Sequence, residues 1–119
     1  MKLSLVVPCY NEEDNVAVFL EETMAAFDGC GYDYEIVFVN DGSRDNTLLE
    51  LRRLFQAQKY PVKVVSFSRN FGKESAIYAG MEHAKGEYIS IIDADLQQRP
   101  EIVRDMVSML DRQPQYDVV

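Results

Sequence analysis

Apolar residues follow two spacings along this chain, and the two alternate. Leu3-Ser-Leu-Val-Val7, Glu35-Ile-Val-Phe-Val39, Val62-Lys-Val-Val-Ser-Phe67 and Tyr88 to Ile92 are short runs rich in β-branched and aromatic residues. Each predicts a strand, and the unbroken apolar character of the last predicts a buried one. Between them, apolar positions recur every three or four residues, which predicts helices. The first stripe is Val16, Phe19, Leu20, Met24 and Phe27, the second Leu48, Leu51, Leu54 and Phe55, and the third Ile77, Met81 and Ala84. A fourth, Ile102, Val103, Met106, Val107 and Leu110, follows Pro100, a residue suited to a first helical turn. Asn11 is placed to cap the first helix, Gly29 and Gly31 to close it, and Gly86 to close the third. Tyr116-Asp-Val-Val119 begins like a fifth strand.

Strands alternating with helices of ten or more residues imply an α/β fold, a mostly parallel sheet covered on both faces. Crossovers in such sheets are right-handed. With 119 residues the chain is expected to form one domain, 1–119, read as the front part of a larger protein. A fifth strand that stops short would leave an open sheet edge, which favours self-association.

The polar interruptions share a position. Pro8-Cys-Tyr-Asn-Glu12 follows strand one, Asn40-Asp41 strand two, Ser68-Arg-Asn70 strand three and Asp93-Ala-Asp95 strand four. In a parallel sheet all four lie on the carboxyl edge. With strand order 3-2-1-4 the direction reverses between strands one and four, and open α/β sheets bind ligands in that crevice. Tyr10, Asp41, Asp93 and Asp95 would line it together.

Each of these residues has a purely structural alternative. Asp93 and Asp95 serve a turn before the Pro100 helix equally well, and Asp41 in Asn-Asp-Gly-Ser suits a turn in its own right. Two adjacent carboxylates also suit a hard divalent cation, with Gln97 a neutral oxygen two residues on. Asp41 could accept hydrogen bonds from a ribose or a base, and Tyr10 could stack on a nucleobase. Arg69 and Lys73 flank Phe71-Gly72 at a helix start, where anions are favoured; as isolated residues they read as solvated charges.

Composition narrows the chemistry. The formal charge of −8 disfavours nucleic acid as a partner, which requires a basic face. Cys9 and Cys30 are too few for a disulfide framework and are read as reduced thiols. His83, the single histidine, has no nucleophile or carboxylate at catalytic spacing. Met1 runs straight into a strand, and no apolar run approaches a membrane span, so the expected setting is cytoplasmic. Strand one is followed by neither Gly-x-Gly-x-x-Gly nor a P-loop, which excludes the dinucleotide and P-loop readings. A phospho-acceptor receiver would need its acids after strands one and three, and here they follow strands two and four.

Taken in order, Val6-Val-Pro-Cys-Tyr-Asn-Glu12, Val39-Asn-Asp-Gly-Ser43 with Asp45-Asn-Thr47, and Asp93-Ala-Asp95-Leu-Gln97 resemble the motifs of family 2 glycosyltransferases of the GT-A fold. Phe67-Ser-Arg-Asn-Phe-Gly-Lys-Glu74 resembles the bactoprenol glucosyltransferase and dolichol-phosphate mannose synthase subgroup. The resemblance implies a Rossmann-like nucleotide-binding half and an inverting, metal-dependent transfer from a nucleoside diphosphate sugar, a UDP-sugar favoured. The implied acceptor is a polyprenyl phosphate, or alternatively a polysaccharide or other sugar hydroxyl; the 119 residues alone are expected to form a nucleotide-binding module without turnover. It places Pro8, Tyr10, Asn11 and Glu12 on the nucleobase side and Asp41 at the base or ribose. Asp93, Ala94 and Asp95 fall at the ribose and diphosphate. Asp95 and Gln97, with Asp93 directly or through water, become ligands to Mg2+ or Mn2+, and Arg69 and Lys73 contacts to a phosphate of donor or acceptor. The complete protein would act at the cytoplasmic face of a membrane, held there by segments beyond residue 119.

Overall fold

The computed structural model describes residues 2–27, 33–57, 59, 61–95 and 105. Four strands and three helices alternate: β1 (Lys2–Cys9), α1 (Val16–Phe27), β2 (Asp33–Asn40), α2 (Thr47–Gln56), β3 (Val62–Ser66), α3 (Lys73–His83) and β4 (Tyr88–Ile91). The strands form one parallel sheet in the order β3-β2-β1-β4, as the sequence pattern implied. The helix expected after Pro100, the strand expected at Tyr116–Val119, and Cys30, Gly29, Gly31 and Gln97 lie outside the described residues.

Side chains alternate across the sheet, so each strand feeds two cores. On one face Leu3, Leu5, Val7, Ile36 and Phe38 pack under α1 and α2 through Val16, Phe19, Leu20, Leu51 and Leu54. Phe19 meets Phe38 edge to face at 6.0 Å between centroids. Each such fully buried side chain stabilises the fold by about 1.5–3 kcal/mol. On the other face Val37 and Val39 pack against Ala76 of α3.

That second interface departs from the periodicity. The stripe Ile77, Met81 and Ala84 predicts the buried face of α3, but the buried residues are Ala76 and Gly80, and Met81 is exposed. The reason is close approach: a Cβ on Gly80 would fall 2.4 Å from Val6 Cγ1. Only very small residues let this helix lie so near the sheet, and a pattern of large apolar residues does not register them. β4 also differs from the buried strand expected. Ile89 and Ile91, which share one face of the sheet, are 41% and 40% exposed, whereas Ile92 just beyond the strand is fully buried. Phe55, expected in the buried stripe of α2, is 53% exposed.

Asn11 is not the cap of α1. The helix begins at Val16, and the Glu12 carbonyl accepts the N–H groups of Asn15 and Val16. Asn11 instead adopts a left-handed conformation, φ 55°, which asparagine tolerates better than most residues.

Toward the amino end of the strands, Glu35 is buried and fully engaged. It accepts hydrogen bonds from Ser4 Oγ at 2.6 Å and Lys85 N at 2.7 Å, and pairs with Lys63 Nζ at 2.8 Å. Ser4 Oγ in turn accepts from Gly86 N at 2.8 Å. Burial pushes the Glu35 carboxyl up, but the hydrogen bonds from Lys63, Ser4 and Lys85 outweigh it and lower the pKa to about 2. This network fixes the turn from α3 into β4 and so sets where β4 delivers its carboxylates.

Candidate active site

The loops at the carboxyl ends of β1, β2, β3 and β4 surround a cavity of about 470 Å³. β1 contributes Pro8, Cys9, Tyr10 and Glu12; β2 contributes Asp41; the loop after β3 contributes Asn70, Gly72 and Lys73; the turn after β4 contributes Asp93, Ala94 and Asp95. The described sheet therefore opens its crevice where the 3-2-1-4 order predicts, between β1 and β4.

The first two loops are joined by hydrogen bonds. Asn11 N donates to Ser43 Oγ at 3.0 Å, and Arg44 N donates to Asn11 Oδ1 at 2.9 Å. Glu12 N donates to Thr47 Oγ1 at 2.8 Å, and Glu13 N to Asp45 Oδ2 at 3.3 Å. Asp45 also accepts from the Thr47 hydroxyl and backbone. Burial opposes ionisation of Asp45, but these hydrogen bonds prevail and hold its pKa below the ordinary value. Asn11 thus serves the loop junction and is not among the lining residues, whereas Pro8, Tyr10 and Glu12 are.

Asp41 makes a different connection. It is 3% exposed, and its carboxylate accepts from Phe71 N at 2.8 Å, Gly72 N at 3.0 Å and Asn70 Nδ2 at 3.0 Å. It clamps the loop after β3 rather than forming a local turn of its own. Gly42 beside it is left-handed, φ 63°, and a Cβ there would lie 2.0 Å from the Arg69 carbonyl carbon. The Asp41-Gly42 pair is therefore a contact between two loops, which turn chemistry alone did not reveal. Asn70 and Gly72 enter the cavity wall through it. In the sequence their signals are the polar loop and the Phe67–Glu74 motif they belong to, and neither assigns them a role of their own.

Lys73 opens α3, and its ammonium lies 2.9 Å from Asp93 Oδ1. Arg69 turns aside, its guanidinium 4.6 Å from the centroid of the Phe71 ring, and does not line the cavity. Cys9 does line it but is buried, 1% exposed. Burial pushes its thiol pKa far up, and Glu12 and Asp93 add to the rise, so it is no nucleophile. His83 sits at the far end of α3 with Nδ1 2.9 Å from the Ala79 carbonyl, away from this site.

Among the described residues, no group of three or more His, Cys, Asp or Glu is arranged to hold a metal ion. Asp93 and Asp95 share one wall, however, and one or two carboxylates completed by water and substrate phosphates is the donor set that Mg2+ takes. The residues fit such an ion bound together with a diphosphate.

The parallel 3-2-1-4 sheet with its crevice at the carboxyl edge defines a Rossmann-like class, and the solved structures it resembles make it the GT-A form. Within that class the chain belongs to glycosyltransferase family 2, whose family model, "Glycosyl transferase family 2", matches residues 4–119. It is 44% identical over 117 residues to the undecaprenyl-phosphate 4-deoxy-4-formamido-L-arabinose transferase of Edwardsiella ictaluri, covering 98% of this chain and 35% of that protein. The Staphylococcus aureus TarS 1–349 structure in complex with UDP superimposes with TM-score 0.77 at 28% identity, covering 96% of this chain and 33% of that one. The Pyrobaculum calidifontis mannosyltransferase PcManGT in complex with GDP-Man and Mn2+ superimposes with TM-score 0.70 at 28% identity, covering 91% and 32%. The chain spans about a third of the length of such relatives.

Proposed function

We propose that this chain is the donor-binding part of an inverting transferase that moves a sugar from a nucleoside diphosphate sugar, a UDP-sugar favoured, to a polyprenyl phosphate. The observation that carries the reading is the cavity itself. It places an exposed tyrosine, a lysine and four carboxylates, Asp93 and Asp95 among them, around a volume suited to a nucleotide bound with a cation. Tyr10, 43% exposed at the β1 end, would stack on the base, with Pro8 and Glu12 beside it. Asp41 already accepts three hydrogen bonds, so its first task is to hold the third loop; a carboxylate retains lone pairs for a ribose or base N–H. Asp93, Ala94 and Asp95 lie where the diphosphate would reach β4.

Asp93 and Asp95, with Gln97, would hold Mg2+ or Mn2+, and that ion would supply electrostatic stabilisation of the departing diphosphate. Solved relatives bind UDP in one case and GDP-Man with Mn2+ in another, which supports this donor chemistry. In the transfer, an acceptor oxygen bonds to the anomeric carbon from the face opposite the leaving group. The bond to the diphosphate oxygen breaks, and its electron pair leaves with the nucleoside diphosphate. A phosphate acceptor is already an anion and needs no strong general base, whereas a sugar hydroxyl needs one. The undecaprenyl-phosphate transferase relative supports the lipid acceptor, and for such an acceptor we propose action at the cytoplasmic face of a membrane. No helix among the described residues is long and apolar enough to cross one.

The test gives the complete protein a radiolabelled UDP-sugar, Mn2+ and undecaprenyl phosphate. Lipid-extractable label is the expected product. Label appearing only in polysaccharide would assign the acceptor to a sugar hydroxyl instead.

A further inference from the structure

The ion pair between Lys73 and Asp93 places a cation on a carboxylate that the proposed function gives to a metal. Three features make the contact more than a passing surface pair. Lys73 stands in the first turn of α3, where the helix dipole disfavours a positive charge, so it gains from a nearby anion. The residue before it, Gly72, holds φ 105° and donates its N–H to Asp41, so the backbone that aims Lys73 is fixed by a buried carboxylate two strands away from β4. Both Lys73 and Asp93 line the cavity, their side chains 60% and 39% exposed, so water and ions reach the pair.

We propose that Lys73 has two partners in sequence: it neutralises Asp93 while the site holds no divalent cation, and it is displaced onto the donor's diphosphate when the cation takes Asp93. The inference rests on the proposed function and deepens it by naming a positioning residue that links metal entry to donor binding. A divalent cation and an ammonium compete for the same carboxylate oxygen. A diphosphate arriving with the metal offers the displaced ammonium a stronger anion within the same cavity. Ordering follows: metal alone must break the ion pair, whereas metal and nucleotide together exchange it for another. Asp41 acts here only through the loop, by keeping Lys73 within reach of both partners.

The experiment measures binding rather than turnover, by calorimetry on the intact protein. Exposed ion pairs are weak, so Lys73→Met should bind Mn2+ without nucleotide only about two- to fivefold more tightly than the wild type. The same variant should bind UDP without metal more weakly, by about three- to tenfold. Lys73→Arg should restore part of the UDP affinity. Arg69→Met removes a cation of the same loop that is stacked on Phe71, and should leave Mn2+ affinity nearly unchanged. Opposite signs for metal and nucleotide are what a purely structural role would not produce, and thermal unfolding confirms that each variant is folded. Equal Mn2+ affinity in wild type and Lys73→Met would overturn the inference, as would an equal gain in Arg69→Met or an unchanged UDP affinity. If the wild type binds UDP but no Mn2+ with or without it, the metal reading fails and this inference with it. If Mn2+ binds and Asp95→Asn weakens it while Lys73→Met does nothing, only the inference fails.

Discussion

Single residues in this site carry separable loads. Asp95 stands exposed at the cavity wall, and its carboxylate is the one whose loss should be felt most by a metal-bound nucleotide. Asp95→Asn keeps the size and turn-forming ability of the side chain, so the fold should survive. Mn2+-dependent UDP affinity should fall about ten- to hundredfold, the scale at which even an outer-shell partner of a metal ligand registers. Unchanged metal-dependent affinity by calorimetry would remove Asp95 from the metal site. Gly42 carries a structural load instead. An alanine there must adopt φ 63° and thrust its Cβ to 2.0 Å from the Arg69 backbone. Gly42→Ala should destabilise the protein by about 2–3 kcal/mol in urea unfolding. Because Asp41 and Arg69 move with it, nucleotide affinity should fall as well.

At the scale of elements, the sheet is fixed at its two ends by different means. The carboxyl end is joined by loop-to-loop hydrogen bonds, the amino end by Glu35 gripping β1, β3 and the α3–β4 turn. The Glu35 end has a pH signature. Its pKa is about 2 in the folded protein, below the ordinary value of an unfolded chain, so the unfolded state binds the proton more readily. The stabilisation is therefore complete above about pH 5 and is lost as pH falls toward 2. Lys63 is partly solvent-exposed, which discounts the effect to about 2–3 kcal/mol at most. Glu35→Gln should be less stable than the wild type at neutral pH, and the difference should shrink on acidification to pH 2. A difference that stays constant between pH 6 and pH 2 would mean that the network is neutral packing rather than an ion pair.

For the whole molecule, the question is what a chain spanning about a third of its relatives' length does by itself. The loops that would hold a nucleotide are all at the described sheet edge, so the 119-residue chain should bind UDP or GDP, and bind them weakly, because the sugar has few contacts. We expect no sugar transfer from it. Positioning a nucleophile opposite the leaving group supplies about 7–11 kcal/mol of a barrier, and the roles proposed for the described residues that line the cavity are all on the donor side. A donor-plus-undecaprenyl-phosphate assay with Mn2+ checks this. Sustained product above the buffer rate would place the acceptor machinery within residues 1–119.

The order of strands and helices, the parallel sheet and the gathering of Tyr10, Asp41, Asp93 and Asp95 at one edge were legible in the sequence alone. Strand and helix periods are local, and parallel topology sends every strand's end to the same side. What the chain does with those residues once gathered was decided by tertiary contact. The buried face of α3 is Ala76 and Gly80 because the helix approaches the sheet too closely for larger residues, and small residues leave no periodic trace. Asn11, read as a helix cap, bridges two loops, and Asp41, read as a turn or a ligand, clamps a third. Glu35 passed as the first residue of an apolar strand until Ser4, Lys63 and Lys85 closed around it from 31, 28 and 50 residues away in the chain. A hydrogen bond or an ion pair needs its partner within about 3 Å. Sequence spacing fixes that distance within one helix or turn, and only the folded chain fixes it between elements.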